Sequence, residues 1–127
     1  MPTIAFIFPG QGAQAVGMGH DLYKKSTAAR KVFEEVDDAL GRSLSTVMFE
    51  GPEELLRETA NAQPAIMTAS LATIRAMQDG AGAHGLSEPA MIAGHSLGEY
   101  TALAVAGALS VSETAKLVEE RGRLMQR

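Results

Sequence analysis

The period of the apolar positions changes several times along the chain, and each change predicts an element. Thr3 to Phe8 is continuously apolar with β-branched and aromatic members and ends at Pro9-Gly10, the pattern of a parallel strand buried on both faces in the middle of a sheet. From Asp21 to Leu40 the period becomes helical. Leu22, Ala29, Val32, Phe33, Val36 and Leu40 fall on one stripe against Lys24, Lys25, Lys31, Glu34 and Glu35, and Gly41 stops the helix. Pro52 opens a shorter helix through Leu56, and Pro64 begins a second long one through Met77, with Ile66, Met67, Leu71, Ile74 and Met77 as its apolar stripe. Gly80 to Pro89 reads as a loop, Ala90 to Ala93 as a second strand, Leu97 to Ala108 as a helix, and Ser112 to about Gln126 as a last helix capped by Ser112.

Strands alternating with helices predict an α/β fold, yet only two strands are evident. Two parallel strands cannot cover their own edges or make the sheet such a domain needs. The expectation is therefore the N-terminal part of something longer, which by itself exposes apolar sheet edge and is marginally stable or self-associates.

The chain has 127 residues, 46% of them apolar, enough for one domain with a core and too few for two. A net charge of −4, with basic residues interspersed among acidic ones, argues against nucleic acid or anionic lipid as a partner. Without cysteine there are no disulfides, zinc thiolates or thiol nucleophiles, and no metal is expected. Met1-Pro2-Thr3 passes directly into the first strand without the basic start of a secretory signal, so a cytoplasmic location is expected. The low-charge stretch from Tyr100 to Val111 is too short to span a bilayer.

Candidate chemistry concentrates at Gly94-His95-Ser96-Leu97-Gly98. A serine between two glycines, after a strand and before a helix, is the nucleophile elbow: the turn is strained and the hydroxyl exposed at the carboxyl end of the strand. The helix that follows directs its N-terminus at the same place, and the Leu97 N–H becomes a candidate oxyanion donor. Pro9-Gly10-Gln11-Gly12-Ala13-Gln14 follows the first strand and falls at the same sheet edge. Its Gly10, Gly12, Gly17 spacing does not match a dinucleotide loop, and no Gly-Lys-Ser/Thr follows. Gln11, by backbone N–H or side-chain amide, is the candidate second oxyanion donor. A tight turn with an incidental glutamine is the alternative.

Pro9-Gly10-Gln11-Gly12, Gln63-Pro64-Ala65, Gly94 to Tyr100 and Arg121-Gly122-Arg123-Leu124-Met125-Gln126 occur in an order and spacing that resembles the malonyl-CoA:acyl-carrier-protein transacylases along the whole chain. The resemblance implies an α/β-hydrolase-like parallel sheet with flanking helices, of which residues 1–127 form the N-terminal part of the large acyltransferase subdomain. It implies transfer of malonyl from malonyl-CoA to the phosphopantetheine thiol of acyl carrier protein, through a malonyl ester on Ser96, in fatty-acid biosynthesis. No cofactor is implied. Gln11 and the Leu97 N–H then serve the oxyanion and Arg121 clamps the free malonyl carboxylate; Gln63 either lines the pocket or simply precedes a helix-starting proline.

A guanidinium fork suits a carboxylate on physical grounds as well. The plain alternative for Arg121 is a solvated arginine paired with a neighbouring glutamate. In the family the activating histidine lies well downstream, beyond a ferredoxin-like subdomain, and serine needs such a base. Of the three histidines present, His95 is expected to pack or orient the turn, His84 falls at the wrong edge of the sheet, and His20 falls at the correct edge with a surface or helix-start role, a substitute base being its alternative. A serine esterase or thioesterase would share the elbow without needing Arg121, and a non-catalytic fragment completed by a C-terminal piece is a further alternative.

Overall fold

The computed structural model describes residues 3–80 and 89–126. Strands β1 (Ala5–Phe8) and β2 (Met91–Gly94) pair in parallel, Ala5 beside Met91 through Phe8 beside Gly94. The helices described are α1 (His20–Lys25), α2 (Thr27–Leu40), α3 (Leu44–Glu50), α4 (Glu53–Arg57), α5 (Thr59–Gly80), α6 (Gly98–Val105) and α7 (Val111–Met125). The α5 helix is the spine of the core. Its Ala65, Ile66, Met67 and Leu71 are buried against Val32, Phe33 and Val36 of α2 and Ala115 and Val118 of α7. Tyr23, Phe33 and Phe49 close one end with ring centroids 5.2–5.7 Å apart, a spacing at which aromatic edges and faces attract. On the sheet side α6 packs on both strands.

Several expectations are corrected. The helix expected over Asp21 to Leu40 is two helices, broken at Ser26, whose backbone is extended (φ −122°, ψ 118°). Ser26 Oγ accepts the Ala29 N–H at 3.1 Å, and Arg30 donates to the Tyr23 and Lys24 carbonyls at the end of α1. Both ends at the break are thus satisfied, which the apolar period alone does not reveal. Gly41 ends α2 with φ 68°, as expected. Residues 44–50, which the apolar period leaves unassigned, form α3 with Ser43 as its cap.

Pro64 does not begin the second long helix; it lies inside α5, which starts at Thr59. A proline this near the start forfeits one backbone hydrogen bond, and the free donors of the first turn find acceptors elsewhere. Asn61 and Ala62 donate to the Glu58 carbonyl, and Ala60 donates to Gln126 Oε1 at 3.0 Å. The cap of the last helix is Ser110, not Ser112. Ser110 Oγ accepts the Glu113 N–H at 3.0 Å while Glu113 Oε1 accepts the Ser110 N–H at 3.1 Å, a reciprocal capping box. The helix after β2 is shorter than expected, with Leu97 at its cap.

Among the described residues the strands have one covered face. Phe8 is buried, whereas Ile7 is 76% and Met91 65% exposed, on one face with Ala5 and Ala93. This corrects the expectation of a first strand buried on both faces. The loop expected over Gly80 to Pro89, with His84, lies outside the described residues apart from Gly80, which closes α5, and Pro89.

Candidate functional site

Ser96 follows β2 and precedes α6, and among the described residues it is the one non-glycine with a positive φ, 56°. An L-residue enters that region at a cost, so the surroundings must enforce it. The glycines on either side explain how. A Cβ at Gly94 would overlap the Gly98 and Glu99 backbone, and one at Gly98 would overlap the Phe8 carbonyl. Strand and helix therefore approach closely enough to force a sharp turn. The His95 N–H donates to the Phe8 carbonyl at 3.1 Å, which ties the turn to β1. Gly98 and Glu99 donate to the carbonyls of His95 and Ser96, both at 3.0 Å, while the Leu97 N–H makes no hydrogen bond among the described residues. A free amide beside the serine at a helix start is suited to a developing negative charge.

The glycine-rich loop after β1 rests on this turn. A Cβ at Gly10 would come within 2.7 Å of the His95 carbonyl oxygen and 3.6 Å of Ser96 Cβ. Gln11 is exposed, and its Nε2 donates to Thr59 Oγ1 at 3.2 Å.

Arg121 comes from α7 and reaches the serine. Its Nη2 donates to Ser96 Oγ at 3.0 Å, its Nη1 donates to Gln63 Oε1 at 2.8 Å, and its Cζ lies 5.4 Å from the Tyr100 ring centroid. Gln63 is fully buried, and its Nε2 donates to Met125 Sδ at 3.2 Å. The glutamates near Arg121 are engaged elsewhere. Glu119 pairs with Arg42 at 2.9 Å and with Arg123 at 3.0 Å, and Glu120 lies 3.5 Å from Arg123. Among the described residues no carboxylate neutralises Arg121. A half-buried guanidinium held by neutral partners is an anion-binding group.

Of the sequence-derived site residues, Ser96, Arg121 and Gln63 thus converge directly, Leu97 adjoins them, and Gln11 belongs to the loop resting on the turn. Tyr100 has no role in the sequence reading, yet it lies four residues after Ser96, one helical turn, which could have flagged it. His20 stacks on Phe49 with centroids 4.7 Å apart, and His95 is exposed. Neither is hydrogen-bonded to Ser96 among the described residues. No described helix is long and apolar enough to cross a membrane.

The family model described as acyl transferase domain matches residues 5–127. The malonyl CoA-acyl carrier protein transacylase of Bacillus subtilis (strain 168) is 46% identical over 125 residues, 98% of this chain and 38% of that relative. The crystal structure of acyl-carrier-protein-S-malonyltransferase from Bartonella henselae has a TM-score of 0.92 and 52% identity, over 98% of this chain and 40% of that one. A structure of a type II PKS acyl-carrier protein in complex with its malonyl-transacylase matches with a TM-score of 0.87 and 41% identity, over 98% of this chain and 39% of that one. The chain therefore spans about two fifths of the length of these relatives.

Proposed function

This chain belongs to the acyl transferase domain family, and from that premise we propose that it is the nucleophile-bearing part of a malonyl-CoA:acyl-carrier-protein transacylase of fatty-acid biosynthesis. Residues 1–127 are then the N-terminal part of the large acyltransferase subdomain, and β1 and β2 two strands of an α/β-hydrolase-like sheet. The relatives' greater length leaves room for the other strands, a ferredoxin-like subdomain and the activating histidine that the resemblance implies. The proposed location is the cytoplasm, and no cofactor enters the chemistry.

The observation that carries this reading is the hydrogen bond from Arg121 to Ser96 Oγ at 3.0 Å. A malonyl thioester places its carboxylate one methylene from the carbonyl under attack. A guanidinium beside the nucleophile binds that carboxylate while the carbonyl carbon stays within reach of Ser96. Acetyl leaves the guanidinium unpaired, and a longer diacid carries its carboxylate past it. Gln63, bonded to Nη1, and Tyr100, beneath the guanidinium, hold the clamp in place.

In the proposed acylation, Ser96 Oγ adds to the thioester carbonyl and its proton passes to the activating histidine. Arginine stays protonated at any working pH and does not take that proton. The negative oxygen of the tetrahedral intermediate is met by the Leu97 N–H and by Gln11. The C–S bond then breaks, CoA thiol leaves with the proton, and malonyl remains as an ester on Ser96. The carrier protein's phosphopantetheine thiol attacks that ester by the reverse sequence.

Intact mass of the full-length protein before and after malonyl-CoA, with peptide mapping, tests this. The expected result is one malonyl ester on Ser96, lost on treatment with holo acyl carrier protein and absent in Ser96→Ala. A protein that stays unmodified while its thioester substrate is intact would overturn the reading.

A further inference from the structure

The motif after β1 holds a second glutamine, Gln14, to which the transacylase reading gives no role. Its loop is glycine-rich, and Gly12 and Gly17 hold φ of 110° and 95°. A Cβ at either would meet nothing within 4 Å, so packing does not set those angles. Among the described residues, Gly12 alone of residues 10–16 has a backbone N–H with a hydrogen-bond acceptor. That acceptor is a side chain: Gln14 Oε1, at 2.8 Å.

This bond closes a small ring over Ala13 and fixes the plane of the Gln11–Gly12 peptide, in which the Gly12 N–H lies. The preceding peptide, Gly10–Gln11, is seated from the other side. A Cβ at Gly10 would come within 2.7 Å of the His95 carbonyl oxygen and 3.6 Å of Ser96 Cβ. The Gln11 N–H belongs to that second peptide, beside the Ser96 turn, and makes no hydrogen bond among the described residues. The Gln11 side chain is committed to Thr59 Oγ1 at 3.2 Å, which leaves the backbone N–H as the part of Gln11 suited to an oxyanion.

We propose that Gln14 is a positioning residue for acyl transfer, acting through the Gln11 backbone N–H. With Gly10 seated on the Ser96 turn and Gly12 tied to Gln14, the residue between them has its two dihedrals set. Its N–H then keeps one direction as the thioester carbonyl gains charge. Without the Gln14 acceptor the loop regains the backbone freedom that its glycines confer, and the donor is in place for only a fraction of encounters. Gln14 also occupies the neighbouring Gly12 N–H, so of the two consecutive donors Gln11 is the one left to serve. The proposal rests on the transacylase reading above.

The test uses the full-length protein and steady-state transfer to acyl carrier protein. Gln14→Leu keeps comparable bulk and removes the acceptor. It is expected to lower kcat roughly tenfold, as misplaced donors do, with KM for malonyl-CoA within about twofold of wild type. The oxyanion is common to all thioesters, so the rate with acetyl-CoA falls by the same factor, whereas damage at the Arg121 clamp would change the ratio. Intact mass shows the same final fraction of Ser96 acylated as in wild type, because the chemistry is slowed and no protein is lost. Gln14→Glu, which keeps an Oε acceptor for the Gly12 N–H, is faster than Gln14→Leu.

Wild-type kcat in Gln14→Leu, a loss carried by KM or by a smaller acylated fraction, or a Gln14→Glu as slow as Gln14→Leu would overturn the proposal; a smaller fraction is what a purely structural glutamine produces. If Gln14→Leu does not fold, Gln14→Ala carries the same comparison with the same expected result. A wild-type protein that never acylates Ser96 overturns the transacylase reading and this proposal with it. A wild type that acylates, with a Gln14→Leu that matches it, overturns the proposal alone.

Discussion

Arg121 rests against a tyrosine ring and a serine hydroxyl, with no carboxylate of the described residues beside it, ready for an anion brought from outside. Each hydrogen bond to a charged group that is lost contributes about 1.5–3 kcal/mol. Arg121→Lys keeps the charge but not the fork, so its kcat/KM for malonyl-CoA is expected to fall by roughly 10- to 100-fold. Arg121→Ala should lose more and narrow the preference for malonyl-CoA over acetyl-CoA. Steady-state kinetics with both substrates checks this, and unchanged discrimination in Arg121→Ala would remove the clamp from the mechanism. Ser96 is legible in the sequence because the two glycines that let its turn close lie within two residues of it, although the Phe8 carbonyl that anchors the turn does not. The want of a carboxylate on Arg121 is legible only in part: Glu119 and Glu120 stand four and three residues before Arg123 and pair with it locally, whereas Arg42 reaches Glu119 only in the folded chain.

At the scale of elements, α7 carries Arg121, and its start is secured by the Ser110–Glu113 box. The Ser110 backbone N–H, and after it the Ser110 side chain, hold the Glu113 carboxyl below its ordinary value of 4.5. A carboxyl depressed on folding contributes stability that is present above its unfolded pKa and is lost as pH falls through the folded one. Glu113→Gln keeps a hydrogen-bonding side chain but cannot titrate. Its melting temperature should therefore converge on that of wild type as the pH is lowered below about 4.5, the ordinary value for the group. Melting curves that stay parallel over that range would contradict the box as the source. Ser110→Ala should lower stability by about 1 kcal/mol at neutral pH. The Ser-x-x-Glu signature of this cap is present at Ser110–Glu113, yet Ser112, two residues on, is the cap expected from the sequence. The start of α5 is not legible, because one of its first-turn donors is met by Gln126, 66 residues away, and a local rule gives the start to Pro64 instead.

The molecule as a whole is covered unevenly. Its helices bury a continuous core, whereas the sheet leaves Ala5, Ile7, Met91 and Ala93 together on an open apolar face. The 127-residue chain by itself is expected to self-associate through that face, and Ile7→Lys with Met91→Lys to shift it toward monomer. Sedimentation velocity over a concentration series checks this; association unaffected by the pair would place the contact elsewhere. A different consequence follows from the ties at α7. Gln63 is bonded to Arg121 and Met125, the Ala60 N–H to Gln126, and the Thr59 carbonyl abuts Gly122. In the order of synthesis these partners all follow Ser96. At about 5–20 residues per second, Ser96 is made one to several seconds before Arg121, with nothing yet beside it to receive an anion. In the proposed transacylase α7 is a clasp: until it closes, a growing chain carries Ser96 without the arginine that would choose what it meets.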